Sequence, residues 1–289
     1  MASEEKQSRN ESGDVTELKT ARSEPEKRAG IDIDIDRLVD EHEEEVSEDG
    51  KTVRRQGIYL LPNLFTTGAM FAGFYAIIAS IRADFEAAAI AIFFAMVFDG
   101  LDGRVARLTN TASKFGEEYD SLSDMVSFGV APALLVYNWG LGELGKFGWS
   151  VAFIYLACAA LRLARFNAQI EESDRAWFTG LASPSAAAAV TATVWVCNDI
   201  GWLGAALPVE VSVTVAILTA TIGVLMIANV PYYSFKTLDV HRRVPFAMVI
   251  LMVLIFSLVT VDPPRVLLAA ALMYAASGPL MLLRRKKEG

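Results

Sequence analysis

Eight long apolar segments between residues 58 and 283 constrain this chain more than any other feature of its sequence. A helix needs about 20 mainly apolar residues to cross a bilayer, and each segment is close to that length. The connections between the segments are too short to hold a second folded domain. We therefore expect an all-α, polytopic membrane helix bundle. The predicted spans lie near 60–80, 86–106, 118–139, 149–168, 184–203, 211–230, 245–261 and 265–283.

The distribution of lysine and arginine predicts how the bundle is oriented. Basic residues close to span ends favour the cytoplasmic side of a membrane. If the amino-terminal tail is cytoplasmic, sixteen basic residues fall on that side and only three, Arg82, Lys146 and Arg265, on the other. We therefore expect both termini to face the cytoplasm.

Residues 1–57 form a separate, acidic segment. They contain 17 Asp or Glu and 10 Lys or Arg, whereas the rest of the chain contains 17 and 16. So polar a segment buries too little apolar surface to offset the entropy lost on ordering, and we expect a disordered cytoplasmic tail. The acidic balance argues against nucleic acid as a partner. Cys158 and Cys197 lie in apolar runs, so we expect no disulfide framework.

Four aspartates stand where a bilayer penalises charge, at the ends of the second and third spans: Asp99, Asp102, Asp120 and Asp124. Ionisable residues in spans are costly and usually mark function. Their i, i+3 and i+4 spacings place each pair on one helix face. A turn near 108–115 would bring the two faces together.

Carboxylates that converge in this way repel one another unless a cation lies among them. An oxygen-only set favours Mg²⁺ or Mn²⁺, with Ca²⁺ as a surrogate, and four carboxylates can hold two ions suited to phosphoryl transfer. Gly103 and Gly116 let a ligand approach the helix backbone, and Arg107 can neutralise phosphate oxygens. In the alternative interpretation, the aspartates only form ion pairs with Arg104, Arg107 and Lys114.

The segment 99–124 resembles the signature of the CDP-alcohol phosphotransferase family. The start of the first span, which includes Pro62, Asn63 and Thr66, is similar to that family's Pro-Asn-x-x-Thr element. The resemblance implies a six-span family core at 58–230, followed by two additional spans at 231–289. The signature reads Asp99-Gly-Leu-Asp102-Gly103-Arg-Val-Ala106-Arg107, then eight residues, then Gly116-Glu-Glu-Tyr-Asp120-Ser-Leu-Ser-Asp124.

The resemblance also implies roles for the matching residues. Asp99, Asp102 and Asp120 match the ligands of one metal ion, and Asp99, Asp120 and Asp124 match those of a second. Asp124 also matches the general base. Taken alone, Pro62-Asn63 could mark only the start of a helix. The positions that match contacts to CDP are Asn63, Thr66, Gly103, Ala106, Arg107 and Gly116.

Motifs at 120–132, 161–167 and 180–184 resemble the bacterial and archaeal phosphatidylserine synthase branch, although Ala182 stands where we expect Pro. That branch implies transfer of the phosphatidyl group of CDP-diacylglycerol to the hydroxyl of L-serine, with release of CMP. It also implies a homodimer in a prokaryotic cytoplasmic membrane, in contact with membrane lipid.

Four polar residues are candidates for binding the acceptor or a lipid phosphate: Ser127, Arg162, Arg165 and Asn167. The arginines could hold the serine carboxylate or the lipid phosphates, or only anchor the span at the membrane surface. Asn167 could equally cap a helix. Ser127 could only satisfy a carbonyl of the preceding turn.

Other functions stay open from the sequence. Glycerol 3-phosphate or inositol phosphate could replace serine in the same chemistry, and the lipid could be diacyl or an archaeal ether type. In another class, acids in spans mark the ion paths of divalent-cation transporters. The clustering of the aspartates on one side of the membrane argues against a transporter.

Overall fold

The computed structural model describes residues 45–48, 51–54, 60–109, 113–168, 177–203, 207–233 and 246–288. Helices dominate these residues, and their order matches the eight predicted spans. A π-helix, Met125–Val130, joins the helices Lys114–Asp124 and Ala131–Trp139, which together form the third span. The helices are α1 Leu60–Ile81, α2 Phe85–Thr109, α3 Lys114–Asp124, α4 Ala131–Trp139, α5 Lys146–Ala168, α6 Ser183–Asp199, α7 Val209–Ile227, α8 Phe246–Val261 and α9 Pro263–Glu288.

Four helical stretches of the described chain are long and apolar enough to cross a membrane: Leu61–Ile81, Lys146–Ala168, Val209–Ile227 and Pro263–Leu282. The other helices depart from this pattern for local reasons. The end of α2 carries aspartates, the third span is interrupted by the π-helix, and α6 and α8 have only 17 and 16 residues. Large apolar side chains also face outward, as in Phe71 and Phe256, which are 69% and 71% exposed. The prediction of an all-α polytopic membrane protein is confirmed.

Two short antiparallel strand pairs accompany the helices. The first, β1 Glu45–Glu48 with β2 Lys51–Arg54, lies inside the segment expected to be disordered. The residues between these strands in the sequence are Asp49 and Gly50, a pair favoured at two-residue hairpin turns, which accounts for this exception. The rest of the predicted tail lies outside the described residues. The second pair is β3 Trp177–Thr179 with β4 Pro231–Tyr233.

Small side chains hold the first two helices close together. The buried faces of α1 and α2 carry four alanines each, and these helices share an extensive contact. Small residues let helix backbones approach closely inside a membrane. The buried alanines are Ala69, Ala72, Ala76 and Ala79 in α1 and Ala88, Ala89, Ala91 and Ala95 in α2, where Ala87 packs at the edge.

A proline and a tyrosine of another helix account for the π-helix that follows Asp124. Pro132 has no N–H, so the carbonyl of Phe128 cannot receive the usual helical bond from the residue four positions later. The buried hydroxyl of Tyr155, on α5, donates to that carbonyl at 2.9 Å instead. Single-turn π-helices often occur at functional sites, and this one follows directly after a candidate catalytic aspartate.

A glycine of α1 allows the π-helix to pack closely. A Cβ at Gly73 would lie 2.8 Å from Cα of Ser127 and 2.6 Å from its Oγ, too close for any other residue. The hydroxyl of Ser127 donates to the carbonyl of Ala69 at 3.0 Å. The backbone after Asp124 is therefore fixed against α1.

Candidate active site

Three of the predicted metal ligands lie together. One carboxylate oxygen from each of Asp99, Asp120 and Asp124 falls within 4.8 Å of the others, and we call these residues the carboxylate cluster. Asp99 lies near the end of α2, and the other two lie on α3, which starts a few residues later. The two acidic faces thus meet, in the grouping predicted for the second metal ion.

Asp102 lies beside the cluster rather than in it. Its side chain is 5% exposed and accepts a hydrogen bond from the hydroxyl of Thr66 at 2.8 Å and another from the backbone N–H of Gly103. Asp120 interacts electrostatically with both Asp102 and Asp99. Asp120 therefore connects Asp102 to the cluster, as a residue shared by two ligand sets would.

The chemistry of the cluster fits a hard divalent cation. Oδ1 of Asp120 is buried and has no hydrogen-bond partner among the described residues, and an unsatisfied buried oxygen is costly. A cation bound among the three carboxylates would supply the missing interaction and relieve their mutual repulsion. The donors are all oxygens, which suits Mg²⁺ or Mn²⁺.

A cavity of about 200 Å³ opens next to these carboxylates, between the start of α1, the end of α2 and the start of α3. Its wall includes all six residues predicted to contact CDP, together with Asp102 and Asp120. Residues that no motif had singled out as ligands complete it. The wall consists of Pro62, Asn63, Thr66, Asp102, Gly103, Ala106, Arg107, Ser113, Gly116, Glu117 and Asp120.

Glycines and one arginine shape this cavity. A Cβ at Gly103 would meet no protein atom within 4 Å, so it would project into open space in the cavity wall. Gly116 is tighter, since a Cβ there would lie 3.2 Å from Oγ of Ser113 and 3.6 Å from Oδ1 of Asn63. Nε of Arg107 donates to the carbonyl of Gly103 at 2.9 Å, which holds the guanidinium beside the cavity.

Hydrogen bonds fix the start of α1 against α2 and α3. Besides its bond to Asp102, Thr66 accepts at its carbonyl from Ser123 at 3.0 Å. The hydroxyls of Thr67 and Tyr119 lie 2.9 Å apart. Ser113 caps α3, with its hydroxyl accepting from the N–H of Gly116 at 3.0 Å. The cavity wall is thus built from three elements that cannot shift independently.

On the other side of the cluster, one arginine approaches the carboxylates. Arg162 of α5 interacts electrostatically with Asp124 and Asp99. Its Nη1 donates to the hydroxyl of Ser183 at 2.6 Å, and its guanidinium lies 5.9 Å from the ring centre of Phe166. Arg162 is therefore a cation held next to the candidate general base.

The other three acceptor candidates have contacts elsewhere. Nη2 of Arg165 donates to Oδ1 of Asn229 at 2.9 Å, and Nη1 donates to the carbonyl of Ile227, at the end of α7, at 3.4 Å. The amide of Asn167 donates to Ser121 at 3.0 Å, which joins α5 to α3. The bond of Ser127 goes to α1 rather than to its own preceding turn. Among the four candidates, Arg162 is the residue that interacts electrostatically with the carboxylate cluster.

Two residues that interact with Arg162 could not be identified from the sequence. Ser183, at the start of α6, belongs to the motif 180–184, but nothing in that motif connects it to a residue 21 positions earlier. Tyr274 of α9 interacts electrostatically with Arg162 and looks like an ordinary aromatic residue of an apolar span. Only the tertiary fold reveals either contact.

The chain is similar in sequence to proteins of one known family. The family model described as CDP-alcohol phosphatidyltransferase matches residues 59–206. A protein of Helicobacter pylori named CDP-diacylglycerol–serine O-phosphatidyltransferase is 39% identical over 207 residues, which cover 71% of this chain and 84% of that protein. Proteins of the same name are 32% identical over 176 residues in Bacillus subtilis (61% and 91%) and 38% identical over 144 residues in Methanocaldococcus jannaschii (50% and 62%).

Proposed function

The chain belongs to the CDP-alcohol phosphatidyltransferase family, and on that premise we propose that it transfers the phosphatidyl group of CDP-diacylglycerol to L-serine. The observation that carries the proposal is the cavity with the six predicted nucleotide contacts, placed directly against the aspartates. The printed names of the relatives support serine as the acceptor.

The site divides into two parts, which we name by what they are proposed to bind. The nucleotide half is the wall of the cavity, where Gly103 leaves room for CDP and Arg107 faces its phosphate oxygens. The acceptor half comprises Asp124, Arg162 and Ser183. The diphosphate of the substrate would lie between the halves, with its acyl chains among the apolar helices.

The family is generally dependent on divalent metal ions. In this chain Asp99, Asp102, Asp120 and Asp124 would hold two ions, Mg²⁺ or Mn²⁺. When bound, such ions neutralise the charge that develops on the diphosphate as CMP departs.

Asp124 is proposed to act as the general base. Its carboxylate accepts the proton of the serine hydroxyl while the hydroxyl oxygen attacks the phosphorus next to diacylglycerol. A new P–O bond forms to serine as the P–O bond to CMP breaks, and CMP leaves with that electron pair. No covalent enzyme intermediate is required.

Arg162 is proposed to bind the carboxylate of serine. A guanidinium can hold a carboxylate through two parallel hydrogen bonds, and the electrostatic contact with Asp124 sets this cation beside the proposed base. The bond to Ser183 restricts the guanidinium further. Serine held in this way would present its hydroxyl to Asp124.

The decisive experiment is an assay of CMP release from CDP-diacylglycerol with the purified protein. We expect CMP only when serine is added, and little or none with glycerol 3-phosphate or inositol phosphate, which need additional cationic groups. A preference for either phosphorylated acceptor would refute the serine assignment. Metal flux in proteoliposomes without CMP release would favour the transporter class.

The same assay tests the metal proposal. EDTA should abolish CMP release, and Mg²⁺ or Mn²⁺ added in excess of the chelator should restore it. Full activity after exhaustive chelation would contradict the two-ion arrangement.

A further inference from the structure

The last helix reaches the acceptor half although it lies outside the matched family segment, which ends at residue 206. α9 packs along α6 and against β4. Its buried face consists of small residues, Ala271, Ala275 and Gly278. At the far end of α6, Arg265 donates to Asp199 at 2.9 Å. α9 is therefore attached along the helix that begins with Ser183.

A pair of tyrosines sets the register of α9. The hydroxyl of buried Tyr232, on β4, donates to the carbonyl of Ala275 at 2.9 Å. Its ring lies 5.5 Å from the ring of Tyr274, centre to centre. A Cβ at Gly278 would lie only 2.5 Å from Cζ of Tyr232, so this close packing requires glycine. The ring of Tyr274 thus has a defined place.

The elements that carry Tyr232 also hold Ser183. The N–H of Gly180 donates to the carbonyl of Val230 at 2.8 Å, and the N–H of Leu181 donates to Leu225 at 2.9 Å. Ser183 follows two residues later, is fully buried, and accepts from Arg162. β4 therefore connects the position of α9 to that of the hydroxyl that binds Arg162.

We propose that Tyr274 is a positioning residue, whose hydroxyl holds the guanidinium of Arg162 in the orientation that receives the carboxylate of serine. This inference rests on the proposed function. Arg162, on α5, interacts with residues of four other helices: it donates to Ser183 on α6, and it interacts electrostatically with Asp99 on α2, Asp124 on α3 and Tyr274 on α9. Of these four, Tyr274 is the one contributed from beyond the family core.

The test is Tyr274→Phe, which keeps the ring against Tyr232 and removes only the hydroxyl. We expect the KM for serine to rise about tenfold, the effect of losing one interaction with a charged group. The kcat at saturating serine and the KM for CDP-diacylglycerol should stay within about twofold of wild type. Met273→Ala is the matched control, because Met273 is adjacent and 68% exposed, and it should leave all three constants unchanged.

Other results would overturn the inference. An unchanged KM for serine would show that the hydroxyl does not act on Arg162. Equal increases in both KM values, or a lower melting temperature in detergent, would assign Tyr274 to helix packing alone. If the wild-type protein releases no CMP with serine, the proposed function fails. If the wild-type protein is active with serine and Tyr274→Phe has the same KM for serine, only this inference is contradicted.

Discussion

The two halves of the site are built from very different stretches of the sequence. The nucleotide half draws its wall from 62–66 and from two stretches close together in the sequence, 102–107 and 113–120. The acceptor half combines Asp124 with Arg162 and Ser183, and adds Tyr274 in our inference. The first is a local structure of two adjoining helices and the start of a third, whereas the second exists only once distant helices have packed.

This difference suggests how specificity is distributed. A local wall can recognise the nucleotide common to the family, because its geometry depends on few contacts. An acceptor half assembled by tertiary packing can change its substrate through residues far away in the sequence. Substitutions in each half should therefore affect different constants, and the following experiments test that separation.

The largest effect is expected for Asp124→Asn in the acceptor half. Turnover should fall by about 10²–10⁴, the range for loss of a positioned general base, while CDP-diacylglycerol is still bound. Turnover and lipid affinity should be measured together, with the exposed Glu118→Gln on the same helix as control. Substantial turnover in Asp124→Asn would remove this residue from the role of base.

Arg107→Ala should produce the next largest effect, now in the nucleotide half. Loss of an ionic hydrogen bond to phosphate should weaken affinity for the CDP-lipid by about tenfold or more. The KM for serine should change little. Arg104→Ala is the matched control, since Arg104 is exposed on the same helix and does not line the cavity. If Arg107→Ala binds the CDP-lipid with unchanged affinity, Arg107 only anchors the helix at the membrane surface.

Gly103→Ala tests the shape of the nucleotide half. The added methyl meets no protein atom, so the melting temperature should not fall, but it occupies space meant for the ligand. We expect the affinity for the CDP-lipid to drop about tenfold, the cost of one excess methyl in a pocket. Gly100→Ala also adds a methyl in open space, away from the cavity, and this variant should bind the CDP-lipid with the affinity of the wild-type protein. Equal affinities in the two variants would place the nucleotide elsewhere.

The smallest effect is expected for Tyr155→Phe, which leaves the carbonyl of Phe128 without its donor. An unsatisfied buried carbonyl costs about 1–3 kcal/mol, measurable as a lower melting temperature in detergent. Because the π-helix follows Asp124, kcat should fall more than lipid affinity. Tyr75→Phe, at a side chain that is 48% exposed, is the control. An identical loss in both variants would mean that the π-helix has no special sensitivity.

Much of the fold could be predicted because its signals are local. Apolar runs of spanning length predicted the order of the spans, although the third is divided by the π-helix, and the i, i+3 spacing of Asp99 and Asp102 predicted their common face. The wall of the nucleotide half followed from motifs at 63–66 and 103–116. The orientation in the membrane and the dimer stay predictions.

What could not be predicted depends on packing between distant residues. The π-helix needs Tyr155 to replace a bond lost at Pro132, and Gly73 is essential only because Ser127 lies against it. The hydrogen bond that fixes Asp102 beside the other three aspartates comes from Thr66, 36 positions earlier in the sequence. Arg162 and Arg165 are equivalent in sequence, and only the position of α7 assigns Arg165 to a helix end.

The π-helix also changes which residues share a face along the span that contains it. One surplus residue rotates everything downstream by about 100° relative to a regular α-helix. The face that carries Asp120 and Asp124 is therefore out of register with the helix beyond the π-helix, where Leu135 and Val136 are buried. A helical wheel drawn straight through 114–139 would misplace residues 131–139 relative to the two aspartates, and sequence alignments of this region should tolerate a gap here.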